Sequence, residues 1–350
     1  MNDTRRKNPV TRIQTAIRLF VPAKLSHRRI VPMTSWHSFA AYRLQTVIVM
    51  LMAFLISAIG AQPATASLPT QAPVSSSKPS GLLVSSHPLY LITKAVTAGI
   101  ETPQRLLGQR QSGHDSQLTP QNRLALRQAT LWVWIGPEYE SGLAAATQSM
   151  TQGEARSLQL SRIPGLLWRA PRPLDGSFGQ TLPSAGSSKT TAVHDPHLWL
   201  DPANAIGIAY AIAAYRGTQY PALAQTYRAN AQRFERALIQ AVHALPRQSP
   251  RNYWAYHDAF QYLDRSLNLR WQGTLVRDEE LPLTPQALQR VLSSPVSACL
   301  LTTHALSAGM QQRLQKTPAL VLDESMSEAS DYVVGWQQLA QHILDRCPAS

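Results

Sequence analysis

Short apolar runs alternate with helical patterns along most of the chain. Residues 82–86 and 131–135 are runs of mainly apolar and aromatic side chains, which predict buried strands. Between them, Thr119-Pro120 supplies a capping side chain and an N1 proline before an apolar-periodic stretch, which predicts a helix. Such strand–helix–strand alternation is typical of α/β units built around a parallel sheet.

The same order recurs in the second half of the chain. Thr284-Pro285-Gln286 repeats the earlier Thr119-Pro120-Gln121 and again precedes a helical pattern. Further strands are predicted at 253–256, 273–276, 298–301 and 319–322, and helices are predicted to begin near Ala203 and at about 332. The repeat indicates two similar lobes.

A long helix is predicted between the two halves. Residues 221–246 contain no internal glycine or proline, carry apolar residues at helical spacing, and would span roughly 35 Å. We therefore expect an α/β fold of two (β/α) lobes with parallel-rich sheets: residues 81–218, a rigid linking backbone helix at 219–246, and residues 247–350. Residues 171–193 are rich in Pro, Gly, Ser and Thr and are predicted to form a mobile surface loop.

The N-terminus has the pattern of an export signal. An uncharged run at 46–61 precedes Ala64-Thr65-Ala66, the small residues that a signal peptidase needs. We expect residues 1–66 to be a leader and signal peptide cleaved after Ala66, with a retained membrane anchor as the alternative. Residues 67–80 are then a disordered tether. The sequence leaves open whether Met1 or Met33 is the start.

The net charge of +13 is concentrated in this leader. Residues 1–66 hold nine of the 33 basic side chains and one of the 20 acidic ones, so 24 and 19 remain, a net charge of +5. A basic surface-binding role therefore loses support, and nucleic acid is not an expected partner. No cysteine lies near the cleavage site, so we expect a free periplasmic protein and not a lipoprotein.

The chain has two cysteines, Cys299 and Cys347. In an oxidising compartment pairing is the default, and closing a loop of this length stabilises a fold by up to about 4 kcal/mol in the chain-entropy model. Two buried thiols are the alternative.

Three histidines lie where an α/β fold collects its ligands. His114 directly precedes the helix capped at Thr119, His197 lies in Asp-Pro-His-Leu-Trp-Leu-Asp-Pro before a helix, and His257 ends a predicted strand. Each alone is more often a local hydrogen bond or a cap than a ligand. Their separations of 83 and 60 residues match neither a zinc-finger nor a metallohydrolase motif.

The order of motifs along the chain resembles the zinc-binding solute receptors of bacterial ABC uptake systems. The blocks that carry this resemblance are His87-Pro88, Leu106-Leu107-Gly108, Gly113-His114-Asp115, Trp132 to Glu140, Asp195 to Pro202, Tyr227 to Asn230, and Tyr256 to Phe260. No single block is specific, whereas seven in the same order are.

This resemblance implies a metal site in the cleft between the lobes. It makes His114, His197 and His257 metal ligands, with Asp323 or a water molecule as the fourth. It implies that Zn²⁺ is the transported ligand, that the partner is the membrane subunit of an ABC permease, and that the protein is a monomer without enzymatic activity. It also implies a disulfide in the second lobe.

The residue types agree with zinc. Three neutral imidazoles and a carboxylate or water satisfy tetrahedral Zn²⁺, and manganese or iron relatives place a carboxylate where this chain has His257. Asp115, Asp195 and Asp258 are predicted to orient the ring nitrogens or to cap helices. His304 is predicted to be structural, and His87 is left open. The alternatives are a manganese or iron receptor of the same architecture and, less favoured, a zinc-dependent hydrolase with Glu279, Glu280 or Glu324 as general base.

Overall fold

The computed structural model describes residues 79–108, 118–137, 139–148, 157–174, 194–246, 249–277, 281–314 and 316–349. The predicted leader and signal peptide at 1–66 lies outside this part of the chain, as do His114 and Asp115. Within these ranges no helix combines the length and the apolar character that crossing a bilayer requires.

A four-stranded parallel sheet forms the first lobe. Its strands have the order β2-β1-β3-β4, and Val84 of β1 lies opposite Val133 of β3. The elements are β1 (Leu82–Val84), α1 (His87–Val96), β2 (Gln104–Arg105), α2 (Pro120–Gln128), β3 (Leu131–Trp134), α3 (Ser141–Gln148) and β4 (Ser157–Gln159). Every residue of β1 and β3 is buried, as the continuous apolar runs predict.

Two consecutive helices connect the lobes. Helix α4 (Pro202–Gln219) is followed by a 3₁₀ turn at Pro221–Leu223 and by α5 (Ala224–Ala244), and the two helices pack against each other. The prediction of one helix over 219–246 is therefore wrong at its start, because Tyr220 has a non-helical backbone and Pro221 begins a separate turn. Helix α5 is about 31 Å long at 1.5 Å per residue. Its role as a rigid strut stays a prediction.

The second lobe repeats the topology of the first. Its sheet has the order β6-β5-β7-β8 with all neighbours parallel. The elements are β5 (Arg251–Ala255), β6 (Leu269–Thr274), α6 (Pro285–Leu292), β7 (Cys299–Thr302), α7 (Ala308–Arg313), β8 (Ala319–Val321) and α8 (Tyr332–Arg346). Strand β6 begins four residues earlier than predicted, because its alternation of buried and exposed positions is not a continuous apolar run.

The repeated Thr-Pro-Gln motif marks equivalent helices in the two lobes. Thr119 Oγ1 accepts a hydrogen bond from Asn122 N at 3.1 Å, and Thr284 Oγ1 accepts one from Ala287 N at 3.2 Å. Each of these helices connects the second strand of its lobe to the third. The prediction of two similar lobes is confirmed.

The lobes share one continuous core. Helices α1, α4, α5 and α8 pack on one another, and the largest buried cluster includes residues of both sheets. The C-terminal helix is tied to the first half, since Trp336 Nε1 donates to Leu200 O at 2.9 Å and Tyr332 Oη donates to Trp199 O. Direct contacts therefore hold the two lobes together, in addition to the covalent connection through α4 and α5.

The two cysteines form the predicted disulfide. Cys299 in β7 pairs with Cys347, which follows α8, and their Cα atoms are 5.2 Å apart. The bond fastens the last helix to the second sheet.

The structure corrects the bounds of two predicted flexible segments. Pro79 is buried and Ser80 O accepts a hydrogen bond from Thr130 Oγ1, so the end of the predicted tether (67–80) contacts the first lobe. In the predicted loop 171–193, the side chain of Arg172 is mostly buried and donates a hydrogen bond to Asp258 of the second lobe. Residues 67–78 and 175–193 lie outside the described part.

Candidate metal centre

His197 lies in a tightly fixed turn between the loop and α4. It is followed by a 3₁₀ turn at Leu198–Leu200, whose three side chains are buried. Asp201 then caps α4 by accepting hydrogen bonds from Ala203 N at 2.7 Å and Asn204 N at 3.3 Å. The Leu-Trp-Leu-Asp-Pro sequence thus anchors the backbone directly after the histidine.

Asp195 orients the ring of His197. Asp195 Oδ1 accepts hydrogen bonds from His197 N at 2.9 Å and from Nδ1 at 2.8 Å, and both residues are buried. Because the carboxylate accepts at Nδ1, the proton resides there and Nε2 keeps its lone pair for a metal ion. This confirms the prediction that Asp195 orients a ring nitrogen.

The surroundings of His197 favour a basic ring. Burial lowers its pKa, but the charge and hydrogen bond of Asp195, with the charges of Glu324 and Asp258, outweigh burial and raise the pKa above its ordinary value. A more basic imidazole is a stronger ligand in its neutral form.

His257 meets His197 at the end of β5. The two ring centroids are 5.7 Å apart with an interplanar angle of 51°. Two imidazoles that bind one tetrahedral zinc at 2.0–2.1 Å place their centroids roughly 5 Å apart. Residues separated by 60 positions in the chain therefore lie at nearly the spacing that a shared ion requires.

Two aromatic side chains lie beside His197. The ring of Tyr139 lies 6.3 Å from His197 and 6.1 Å from Trp199, and Trp199 lies 5.3 Å from His197. Trp199 Nε1 also donates to Glu324 O at 2.8 Å, a hydrogen bond that connects this aromatic pair to the second lobe. The two aromatic rings therefore pack against the ring of His197.

Glu140 stabilises the turn that carries Tyr139. Its Oε2 accepts hydrogen bonds from Ile135 N at 2.7 Å and Gly136 N at 3.2 Å, which closes the turn after β3. Burial raises the pKa of Glu140 to about 7, although these backbone N–H groups oppose the rise. Sequence reasoning assigned this residue only to a motif block.

The predicted ligand Asp323 hydrogen-bonds within its own loop. It is exposed, and its oxygens accept hydrogen bonds from its own loop: Oδ1 from Ser325 N at 3.1 Å and Ser325 Oγ at 2.5 Å, and Oδ2 from Ser327 N. In the described ranges, which exclude His114, no group of three or more His, Cys, Asp or Glu is placed to hold a metal ion.

Two other histidines have structural contacts. His87 Nε2 donates to Ala329 O at 3.1 Å, and its Nδ1 accepts from Arg105 Nη1 at 2.5 Å, so both ring nitrogens are engaged. Burial lowers the pKa of His87, and the positive charge of Arg105 lowers it further. His304 packs edge-on against Tyr256 with centroids 4.5 Å apart.

Asp258 forms an ion pair that the sequence did not predict. Arg172 Nε donates to Asp258 Oδ2 at 2.7 Å, and Arg172 Nη2 donates to Asp258 Oδ1, a bidentate pair next to His257. Arg172 also donates to Asp264 Oδ2 at 2.8 Å and to Tyr253 Oη at 2.7 Å. Sequence reasoning missed Arg172, because an arginine in a Pro-rich stretch carries no signal of burial.

Comparison with known proteins decides the family. The model of the family described as zinc-uptake complex component A, periplasmic (ZnuA), matches residues 82–344, which are 263 of the 350 residues. The chain belongs to this ZnuA family. The resemblance found in the sequence is thereby confirmed, together with the α/β fold of two parallel sheets.

Individual relatives agree with this assignment. The high-affinity zinc uptake system protein ZnuA of Yersinia pestis is 28% identical over 225 residues, 60% of this chain and 70% of that protein. A crystal structure of ZnuA has a TM-score of 0.59 at 18% identity and covers 75% of this chain and 97% of its own. Zn(II)-bound AdcA from Streptococcus pneumoniae has a TM-score of 0.58 at 16% identity over 77% of this chain, which spans 58% of AdcA. At such identities the two structures support the fold.

Proposed function

We propose that this ZnuA-family protein captures zinc in the periplasm and delivers it to the membrane subunit of an ABC-type zinc permease. The observation that carries the proposal is the proximity of two buried imidazoles, His197 and His257, whose ring centroids are 5.7 Å apart. Asp195 accepts a hydrogen bond from Nδ1 of His197 and so orients its ring. A metal receptor needs such preset nitrogen ligands, whereas no hydrolytic motif accompanies them.

The remaining ligands complete the proposal. His114 is the proposed third ligand, and Asp323 or a water molecule is the fourth. Ligation by Asp323 would require its hydrogen bonds to Ser325 and Ser327 to open. Because the ligands come from both halves of the chain, a bound ion stabilises the arrangement of the lobes that the permease recognises.

The protein is further proposed to act as a periplasmic monomer without enzymatic activity. Cleavage of the export signal after Ala66 would release it, and the Cys299–Cys347 disulfide suits an oxidising compartment.

Metal titration tests this function. The exported protein is expected to bind one zinc ion per chain in competition with a chromophoric chelator, and an equimolar amount of Mn²⁺ is expected not to displace it, because nitrogen ligands favour zinc over manganese. Preference for manganese would identify the alternative receptor, and turnover of esters or phosphates would favour a hydrolase. A protein that binds no zinc would refute the proposal.

Zinc affinity is expected to fall on acidification. Imidazole binds metal only in its neutral form, and the pKa of His197 is raised, so proton competition begins above the ordinary value of 6.5. The zinc dissociation constant is expected to rise by at least about tenfold between pH 7.5 and 5.5. Chelator competition at both pH values measures the change, and a constant affinity would argue against ligation by histidine.

A further inference from the structure

The turn that follows His257 also controls the carboxylate that orients His197. Gln261 and Tyr262 lie in a 3₁₀ turn four and five residues after His257, and both are buried. Gln261 Nε2 donates to Asp195 Oδ2 at 2.5 Å, and Tyr262 Oη donates to Asp195 O at 2.9 Å. One short segment thus connects the two histidines through Asp195.

The Gln261 amide is fixed in the orientation that this contact needs. Its Nε2 also donates to Ala170 O at 3.2 Å. Both partners are oxygens that only accept hydrogen bonds, so the nitrogen of the amide must face them. Because Gln261 is bonded to residues on both sides of the predicted loop 171–193, it holds the start and the end of that loop together.

The two oxygens of Asp195 have separate roles. Oδ1 accepts both hydrogen bonds from His197, whereas Oδ2 accepts from Gln261. A buried carboxylate oxygen that loses its donor bears a desolvation penalty, which favours rotation of the group away from its present position. Rotation of Asp195 would in turn release the ring of His197.

We propose that Gln261 is a positioning residue for zinc capture, which sets zinc affinity by holding Asp195 against His197. This inference rests on the proposed function. Partners that orient a ligating histidine typically change metal affinity by 10–100-fold when removed. Gln261 is one step further from the metal, yet it supplies the hydrogen bond to the carboxylate oxygen that His197 leaves unused.

The test compares Gln261→Met with Gln272→Met. Methionine retains the approximate volume of glutamine but donates no hydrogen bond. Gln272→Met is the matched control, because it makes the same substitution on β6, where Gln272 Nε2 donates to Asn252 Oδ1 and Arg270 O, both at 3.1 Å, in contacts that do not involve Asp195. Each chain is expressed with its leader, and the zinc dissociation constant and the visible spectrum of the Co²⁺-substituted protein are measured.

Gln261→Met is expected to weaken zinc binding by about 10–100-fold and to change the Co²⁺ spectrum. Gln272→Met is expected to leave zinc affinity within about threefold and the Co²⁺ spectrum unchanged, because the hydrogen bonds of Gln272 do not involve Asp195. A double-mutant cycle with Asp195→Ala separates positioning from general destabilisation: without Asp195, the second change at Gln261 is expected to have no further effect on zinc affinity. Gln261→Leu replaces Gln261→Met if the latter does not accumulate.

The outcomes distinguish this inference from the proposed function. A wild-type protein that binds no zinc would remove the function itself. A wild-type protein that binds zinc, beside a Gln261→Met variant of equal affinity and unchanged Co²⁺ spectrum, overturns only the role of Gln261. An additive loss in the Asp195→Ala background would likewise show that Gln261 does not act through Asp195.

Discussion

Replacing His257 with alanine is expected to weaken zinc binding by more than about 100-fold, beyond the loss typical of residues that only orient a ligand. His257 lies two residues after β5 with its ring centroid 5.7 Å from that of His197, so its removal leaves the ion without one of the nitrogens that the fold sets in place. His197→Ala is expected to have an effect of the same size. Equilibrium competition with a zinc chelator measures both.

His304→Ala is the matched control for this experiment. His304 follows β7, the strand next to β5, but packs edge-on against Tyr256 at 4.5 Å. Its replacement is expected to leave zinc affinity within about threefold, because no ligand is lost. Equal zinc retention by His257→Ala and His304→Ala would eliminate the proposed site.

Replacing Arg172 with methionine is expected to lower the free energy of unfolding by about 3–5 kcal/mol. The guanidinium group pairs with Asp258 and Asp264, donates to Tyr253 Oη, and lies 4.6 Å above the ring of Trp271. Its removal leaves two mostly buried carboxylates without their cation. Urea denaturation of the two proteins measures the difference.

The loss of folding stability in Arg172→Met is expected to depend on pH. Burial raises the pKa of Asp264 to about 6, although Arg172 opposes the rise, so the variant should have a still higher pKa at this carboxyl. A carboxyl with a folded pKa above its unfolded value is favoured by the fold when protonated, so the destabilisation should be smaller at pH 5 than at pH 8.

The exposed Arg270 on β6 provides the control for this substitution. Arg270→Met is expected to change stability by no more than about 0.5 kcal/mol at either pH, as is usual for surface positions. If Arg172→Met unfolds at the same urea concentration as the wild type, the buried ion-pair cluster does not stabilise the fold.

Much of the fold could be predicted because its signals are local. The apolar runs at β1, β3 and β7 are continuous, and each Thr-Pro-Gln motif begins a helix by the same capping hydrogen bond. Strands β2 and β4 were not predicted, since two and three residues of mixed polarity carry no period that identifies a strand. The boundary between α4 and the linking helix was predicted at 218/219, but α5 begins only at Ala224, because Pro221–Leu223 forms a separate 3₁₀ turn.

The candidate site was predictable only in part. The Asp-Pro-His motif places Asp195 two residues before His197, so their hydrogen bond is a local matter that sequence reasoning could anticipate. Asp258 also adjoins a histidine, yet it pairs with Arg172, which lies 86 positions away. Proximity in the sequence therefore predicted the hydrogen-bond partner of Asp195, which lies in the same turn as His197. It did not predict the ion pair of Asp258, because the cation comes from a distant part of the chain.

The sequence by itself determined the strand–helix order, the two repeated capping motifs, the two cysteines and the family, because each depends on residue types in a fixed order along the chain. Tertiary structure alone decided that Arg172 is buried between two aspartates, that Gln261 holds Asp195, and that Asp323 hydrogen-bonds within its own loop. The physical reason is that a polar side chain takes its role from the partners that folding brings to it, and those partners lie far away in the sequence.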